Sequence, residues 1–319
     1  MRRGSGALGA ALIVLAAACF GTLGPVSRFA GEHGVSSLAL VTWRSGIGAI
    51  FVTALIVARS ATGQAGLIRI GQVPRRDRWL IGAAAVTSTV LNLAIFIAFG
   101  RISIALALLI FYLYPALVAL ASVAWFGERL DPLRWLALAV SLLGVVLIVA
   151  GGQGLGSIDL LGVTLAFVAA VAQVAYVLLA RHGFSSISGP QASAATMIGA
   201  AVLYLGVAAG SGHPGVVSEP LGSPAALGLV LFAGTLGAGI PTTAYIVGIR
   251  LLGAPRAAIL ATLEPVVGVA LAALLLHETP SLLQVVGGCL IVASGALLQV
   301  GGGPSPEHEA APGPPAHEA

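Results

Sequence analysis

The chain of 319 residues is 58% hydrophobic and only 8% charged, with a mean hydropathy of +1.04. A soluble domain has about a quarter of its residues charged, so this composition excludes a water-soluble globular protein and indicates one that lies in lipid. The cations behind the net charge of +4 are all arginines that cluster between apolar segments, which favours a membrane topology over a nucleic-acid partner.

Ten apolar segments follow one another along the chain. Each is close to the roughly 20 helical residues that cross a hydrocarbon core of about 30 Å. Their cores are residues 7–29, 38–57, 80–99, 104–126, 133–150, 160–179, 192–209, 225–247, 257–276 and 282–300. Because lipid cannot satisfy exposed backbone groups, segments this long are helices and not barrel strands. The sequence therefore predicts an all-α polytopic membrane protein with ten transmembrane helices.

The first segment resembles a secretory signal, since Arg2 and Arg3 precede an apolar run. We expect it to be retained, because it is one member of the set of ten. The last residues, 301–319, are rich in Pro, Gly and Glu. Such a composition buries too little apolar surface to fold, so we predict a disordered cytoplasmic tail.

The arginines predict the orientation, since short loops rich in Arg stay cytoplasmic. If the amino terminus lies inside the cell, the outer loops contain only Arg101, and Arg28 lies at the outer end of the first helix. We expect the Arg28 side chain to snorkel toward the membrane surface. Twelve arginines then lie inside: Arg2, Arg3, Arg59, Arg69, Arg75, Arg76, Arg78, Arg129, Arg134, Arg181, Arg250 and Arg256. We therefore predict a multi-pass protein of the plasma or inner membrane with both termini cytoplasmic.

The two halves of the chain resemble each other. A shift of 150 residues places Pro115 on Pro265 and Glu128 on Glu278, and each Glu follows its proline by thirteen residues. We divide the chain into a first repeat at 1–151, a second at 152–300 and the tail at 301–319. Five crossings per repeat force the second half to enter from the opposite face, so the repeats are predicted to be inverted, as in many secondary transporters.

This pattern resembles the EamA-type family of the drug/metabolite transporter superfamily. Both halves carry a mid-helix proline ("LYPAL" and "LEPVV"), then an apolar half-helix, a terminal Glu and a Gly-containing final helix. The resemblance implies a basket of ten helices around a central cavity that moves small metabolites, commonly by export of amino acids or related compounds. One departure stands out, because Tyr114 occupies the position before the first proline, where the family often has Glu.

Glu264 lies near the middle of the bilayer, about 12 Å from Arg256 at eight residues of 1.5 Å each. An ionisable group at that depth is costly and is read as functional by default. The following Pro265 frees a carbonyl about four residues earlier, and Pro115 does so in the fourth helix. Paired interruptions are typical of transporter binding sites. The alternatives are a neutral Glu264 that bonds a neighbouring helix and prolines that only set kinks.

Arg44 is the other charge within a helix, and it matches an arginine often found in the second helix of the family. It could pair with Glu264, contact a substrate carboxylate, or merely snorkel or brace a loop. Polar side chains that could line a cavity, or only join helices, are Asn92, Tyr112, Gln173, Tyr176, Thr242, Thr243 and Tyr245.

Other residues are assigned structural roles. Glu128 and Glu278 are expected to form helix-end hydrogen bonds. Cys19 and Cys289 are expected to be buried small hydrophobes without disulfide or metal. The four tryptophans, Trp43, Trp79, Trp125 and Trp135, fit interfacial anchoring.

The sequence lacks a phosphate-binding glycine loop followed by Lys and a nucleophile–base set on a soluble scaffold, so we predict no enzyme, no cofactor and no metal. The favoured function is secondary transport of a small organic metabolite by alternating access, with protons as a possible coupling ion. The alternatives are a passive channel, a drug-type efflux protein and a non-transporting scaffold. Substrate, direction and oligomeric state stay open.

Overall fold

A computed structural model describes residues 2–62, 70–99, 101–102, 104–128, 130–151, 159–184, 186–275 and 279–300. Within these ranges the chain forms α-helices joined by short turns. They are α1 (Arg2–Gly21), α2 (Leu23–Glu32), α3 (Ser37–Ala61), α4 (Arg75–Phe99), α5 (Ile104–Phe111), α6 (Tyr114–Phe126), α7 (Pro132–Ala150), α8 (Leu160–His182), α9 (Gly189–Gly210), α10 (Pro224–Gly234), α11 (Ile240–Leu252), α12 (Ala254–Ala261), α13 (Leu263–Leu275) and α14 (Leu282–Val300).

These helices build the ten predicted spans, numbered here in chain order. In the described ranges, nine segments of at least 18 residues are apolar enough to cross a membrane, and the tenth, α14, is apolar over Leu282–Leu297. Span 1 consists of α1 and α2, span 4 of α5 and α6, and span 9 of α12 and α13. Span 8 consists of α10, a π-helical segment and α11, and the other spans are single helices. The predicted all-α fold with ten spans is confirmed.

Four spans are interrupted within the membrane, and a proline follows each interruption. The helix ends at Gly21, Phe111 and Ala261 lie four residues before Pro25, Pro115 and Pro265, and span 8 contains the π-helical segment Thr235–Gly239 ahead of Pro241. Proline lacks the N–H that would bond the carbonyl four residues earlier, and its ring clashes with that carbonyl. The sequence analysis recognised this effect at Pro115 and Pro265 and overlooked it at Pro25 and Pro241.

Each of the four most extensive contacts between spans joins a span of the first half to a span of the second half. The most extensive contacts are those of span 5 with span 10, span 3 with span 6, span 1 with span 8, and span 2 with span 7. Each span has its repeat counterpart five spans away, so that span 1 corresponds to span 6 and span 3 to span 8. Replacing every span by its counterpart gives the same set of four pairs. The two halves are therefore related by a pseudo-twofold axis, and because five crossings are odd, that axis exchanges the two faces of the membrane.

Span 5 crosses span 10 at a pair of glycines. A Cβ atom on Gly144 would lie 2.6 Å from the Gly287 carbonyl oxygen, and one on Gly287 would lie 2.5 Å from the Gly144 carbonyl oxygen. Small residues let helix backbones approach this closely in lipid. The Gly-containing final helix of each repeat thus supplies one glycine to this crossing.

We expect Gly144→Ala to destabilise the protein by about 1–3 kcal/mol, the usual cost of forcing an extra carbon into a packed contact. The measurement is thermal unfolding in detergent. The matched control is Gly206→Ala in α9, where an added Cβ meets nothing within 4 Å and the change should be neutral or stabilising by about 0.5–1 kcal/mol. Equal stability of the two variants would contradict the close crossing.

We call the membrane face at which α1 begins the N-face. At this face Arg250 donates hydrogen bonds to the carbonyls of Ala180, Phe184 and Ile187, at 3.4, 3.3 and 2.9 Å. Arg181 in turn donates to the Arg250 carbonyl at 2.7 Å. These bonds hold the turn between spans 6 and 7 against span 8.

Glu128 also lies at the N-face. Its Oε1 atom is 3.6 Å from His182 Nε2, and the His182 ring stacks on Phe126 with centroids 3.8 Å apart. The acidic end of span 4 thus lies against the end of span 6. Its repeat counterpart Glu278, together with Arg69, Arg129 and the tail 301–319, lies outside the described residues.

At the face opposite the N-face, Asp159 precedes span 6. Hydrogen bonds from the backbone N–H of Gly162, then that of Leu161, and from the Arg101 guanidinium hold the pKa of the Asp159 carboxyl below its ordinary value. A lowered carboxyl pKa means that this contribution to stability is present above the ordinary pKa and is lost as pH falls through the lowered one. The Arg101 contact joins span 3 to span 6.

The tryptophans and cysteines follow their predicted roles only in part. Trp79 and Trp125 lie at helix ends with 71% and 74% of their surface exposed, which suits interfacial anchoring. Trp43 instead donates its indole N–H to the Val216 carbonyl at 3.2 Å. Both cysteines are free thiols, but the expectation that they are buried is wrong, because Cys19 is partly exposed and Cys289 is exposed on the surface of α14.

Candidate functional site

A cavity lies between the two halves of the bundle. Its volume is about 30 Å³, enough for roughly two water molecules. Polar side chains predominate among the residues that line it, which are Val41, Arg44, Ser45, Ser88, Asn92, Tyr176, Thr196, Met197, Ala200, Tyr204, Ala238 and Thr242. They come from spans 2 and 3 of the first half and from spans 6, 7 and 8 of the second. The cavity is therefore built by both repeats.

Arg44 places a positive charge in this cavity. Its Nε atom donates to the Gly237 carbonyl at 3.2 Å, and one of its terminal nitrogens donates to Asn92 Oδ1 at 3.4 Å. Gly237 stands four residues before Pro241, whose missing N–H leaves that carbonyl without its normal helical donor. The arginine therefore takes a backbone acceptor that the proline has released.

Close packing brings the arginine to this carbonyl. A Cβ atom on Gly48 would lie 3.0 Å from the Gly234 carbonyl oxygen, and one on Gly234 would lie 2.4 Å from Ile47 Cβ. Span 2 and the π-helical segment of span 8 thus touch backbone to backbone, and only glycine fits such an approach. The glycine-rich "GTLGAG" stretch of span 8 positions Gly237 beside Arg44.

Several hydroxyl groups surround the arginine. Tyr204 is 1% exposed, interacts electrostatically with Arg44 and donates to the Ser88 carbonyl at 3.5 Å. The Thr196 hydroxyl is buried in the cavity wall, and among the described residues it has no hydrogen-bond partner. A buried polar atom without a protein partner is costly unless water or a ligand reaches it, so this wall is suited to a polar occupant.

Glu264 lies in a second group of residues, next to the cavity. It stands in the first turn of α13, just after the interruption at Thr262. Its carboxyl group lies within electrostatic range of Tyr112, Tyr114, Tyr245 and Arg44. These partners belong to spans 2, 4 and 8, so the Glu264 side chain faces the interior of the bundle.

The tyrosines of this second group form a connected network. The Tyr114 hydroxyl is hydrogen-bonded to the Tyr245 hydroxyl, and Gln173 Nε2 donates to the same oxygen at 3.4 Å. Tyr176 interacts with both Tyr245 and Arg44. It therefore links the tyrosine network around Glu264 to the cavity around Arg44.

The family model for the EamA-like transporter family matches the chain twice, over residues 7–150 and 160–299. These two matches cover most of the chain and correspond to the two halves that build the cavity. The chain belongs to the EamA-like transporter family. It is therefore a multi-pass membrane protein of a transporter family within the drug/metabolite transporter superfamily, as the repeated proline and Glu motifs predicted.

Two individual proteins are similar to this EamA-like transporter. An uncharacterized transporter, sll1319, of Synechocystis sp. is 26% identical over 211 residues, which are 64% of this chain and 61% of that protein. The match thus spans less than two thirds of the relative. A crystal structure with 22% identity covers 93% of this chain and 98% of its own, with a TM-score of 0.75, and it supports the fold.

The EamA-like transporter brings together most of the side chains that the sequence analysis selected, but in two groups. Arg44, Asn92, Tyr176 and Thr242 line the cavity. The second group surrounds Glu264. It contains Tyr112, Tyr114, Gln173 and Tyr245, which lie near the carboxyl group or are hydrogen-bonded to a tyrosine beside it.

At two positions the described contacts bear on alternatives that the sequence analysis left open. Thr243 donates its hydroxyl to Ser193 at 3.0 Å and so joins spans 8 and 7, whereas its neighbour Thr242 lines the cavity. Arg44 makes its described hydrogen bonds to Gly237 and Asn92, and Glu264 lies within its electrostatic range. The direct Arg44–Glu264 pair, one of the alternatives, is not formed in this conformation of the transporter.

Sequence reasoning missed Tyr204 and the hydroxyls of Ser45, Ser88 and Thr196. One signal could have found Tyr204, because it lies within an apolar segment, as do the four tyrosines that the sequence analysis selected. All five tyrosines are buried. No comparable signal marks the serines and threonine, because which side of a helix faces the cavity depends on its rotation.

Proposed function

We propose that the protein is a secondary active transporter that exports a small organic metabolite, such as an amino acid or a related compound, by alternating access. One observation carries the proposal: a small, arginine-containing cavity lies between two pseudo-symmetric halves and is lined in part by the interrupted span 8. Inverted repeats with a site between them at broken helices are typical of secondary transporters.

Arg44 is proposed to bind the substrate. An arginine guanidinium has five N–H donors, of which Gly237 and Asn92 receive two. A carboxylate accepts from guanidinium in a bidentate geometry. The neighbouring hydroxyls of Tyr204 and Thr196 would complete the polar surroundings of such a group. A cavity of about 30 Å³ is far smaller than the roughly 300–1,000 Å³ of ligand pockets, so the cavity must widen before such a compound binds.

Glu264 is proposed to couple transport to the proton gradient. A carboxylic acid among tyrosines in the bundle interior can release and regain a proton as water reaches it from one face and then the other. Arg44, which lines the substrate cavity, lies within electrostatic range of this acid. We further propose that the repeats divide at residues 151 and 152, that the N-face is cytoplasmic and that the protein resides in the plasma or inner membrane.

The test is flux in proteoliposomes, with candidates chosen from a metabolite-resistance screen of cells that lack or overproduce the protein. We expect saturable flux of one radiolabelled compound that responds to an imposed pH gradient. Flux that neither saturates nor follows the gradient would indicate a passive channel. Flux of lipophilic drugs alone would indicate a drug-type efflux protein, and no flux of any compound would indicate a membrane scaffold.

A further inference from the structure

A short motif occurs twice in the chain, at equivalent turns of the two repeats. The turn between spans 1 and 2 reads "HGVSS" from His33, and the turn between spans 6 and 7 reads "HGFSS" from His182, 149 residues later. Because the repeats are inverted, the two turns lie at opposite faces of the membrane. Each turn also holds a buried apolar side chain, Val35 in the first and Phe184 in the second.

An acidic residue holds the turn at the N-face. Asp77 lies in the first turn of span 3, is 5% exposed, and accepts hydrogen bonds from the Ser186 backbone N–H at 2.9 Å and the Ser186 hydroxyl at 2.5 Å. Hydrogen bonds to an ionised acceptor are stronger than neutral ones. We call the Asp77–Ser186 contact the N-face latch. It ties span 3 to the turn between spans 6 and 7.

A second acidic residue holds the turn at the opposite face. Glu219, in the short 3-10 helix Glu219–Gly222 that precedes span 8, accepts a hydrogen bond from the Ser36 backbone N–H at 2.6 Å. Ser36 is the residue before α3 and caps that helix with its own hydroxyl. We call the Glu219–Ser36 contact the opposite latch. It ties the beginning of span 8 to the turn between spans 1 and 2.

The two latches are counterparts under the pseudo-twofold axis. Exchanging the halves converts span 3 into span 8 and the turn between spans 1 and 2 into the turn between spans 6 and 7. In both latches a carboxylate at or just before the start of the third span of one half bonds a serine N–H in the first turn of the other half, although Ser36 and Ser186 occupy adjacent, not equivalent, positions of the repeated motif. Each latch therefore crosses the interface between halves at one face only.

We propose that the N-face latch and the opposite latch are the two gates of this protein, each of which breaks when its own face opens. Both latches are formed in the present structure, and the cavity between the halves has a volume of about 30 Å³. Breaking one latch frees one face, while the other latch keeps the far face closed. The use of these gates to carry a substrate rests on the proposed function, but the gating itself does not.

The test follows access to the cavity from each face. Ser45, which lines the cavity, is replaced by cysteine in a background with Cys19→Ser and Cys289→Ser. A membrane-impermeant cationic methanethiosulfonate is then added to right-side-out and to inside-out vesicles. Losing a hydrogen bond to a charged group shifts an equilibrium by about tenfold. We expect Asp77→Ala to raise labelling from the N-face by about that factor and to lower it from the other face, and Glu219→Ala to do the reverse.

Matched controls remove a carboxylate at each face without touching a latch. Asp131 caps its own helix at the N-face, where it accepts from the Arg134 backbone N–H, and Glu32 is exposed at the end of α2. Neither Asp131→Ala nor Glu32→Ala should change the side from which the reporter is labelled. If Asp77→Ala does not fold, Ser186→Ala removes only the hydroxyl donor and should give a smaller shift in the same direction.

Two outcomes would overturn the proposal that the latches are gates. In the first, both latch variants increase reporter labelling from the same face. In the second, neither variant changes the labelling. The experiment also separates this inference from the proposed function. Opposite shifts in labelling without any flux of metabolites would support the gates and refute the transporter. Saturable flux with unchanged labelling would support the transporter and refute the gates.

Discussion

Glu264→Gln is expected to reduce proton-driven flux at least about tenfold, equivalent to about 1.4 kcal/mol in the barrier, while the protein remains folded. Glutamine has nearly the shape of glutamic acid but can neither carry the negative charge nor exchange a proton. The substitution removes the ionisable group that lies within electrostatic range of Tyr112, Tyr114 and Tyr245, and we expect coupling to the pH gradient to be lost with it.

The measurement is uptake into proteoliposomes with and without an imposed pH gradient, together with size-exclusion chromatography to confirm folding. The same substitution at Glu32, which is exposed at the end of α2, serves as the control and should leave flux unchanged. A Glu264→Gln protein that transports at the wild-type rate and still responds to the gradient would reject a role for the carboxylate.

Arg44→Gln is expected to lower flux by about ten- to a hundredfold, because each hydrogen bond from a charged donor is worth about 1.5–3 kcal/mol. The substitution removes the substrate's proposed cationic partner and leaves the Gly237 carbonyl without the donor it has at 3.2 Å. Arg44→Lys keeps the charge but loses the planar fork that reaches two acceptors at once, so we expect it to retain part of the flux.

Concentration dependence of flux distinguishes a binding role from a structural one. Loss of substrate binding raises KM in Arg44→Lys, whereas loss of packing lowers the amount of folded protein and leaves KM unchanged. Arg59→Gln, at the exposed end of the same helix, is the control. Equal KM values in Arg44→Lys and the wild type would argue that Arg44 only braces span 8.

Much of the fold could be read from the sequence, because lipid leaves few alternatives. Long apolar segments in lipid must be helices, and Pro115 and Pro265 end the preceding helices four residues earlier, at Phe111 and Ala261. The same rule, applied to Pro241, would have identified the Gly237 carbonyl that Arg44 binds. It was overlooked because Pro241 has no counterpart in the first half.

The candidate site was less accessible to sequence reasoning. Thr242 and Thr243 are adjacent in sequence, yet one lines the cavity and the other bonds Ser193 in the neighbouring span. Apolar side chains lie on all sides of these helices, so hydropathy carries no information about helix rotation. Ser45, Ser88 and Thr196 were missed for the same reason.

The sequence by itself determined the number of spans, the two repeats and the positions of the helix breaks, because these depend on apolar length, an odd number of crossings and the missing proline N–H. Only the tertiary structure decided which polar side chains meet. Arg44 binds the Gly237 carbonyl instead of Glu264, and Asp77 and Glu219 reach serine N–H groups more than 100 residues away. Such pairings depend on how ten helices rotate and pack, which is set by close contacts between residues distant in the chain.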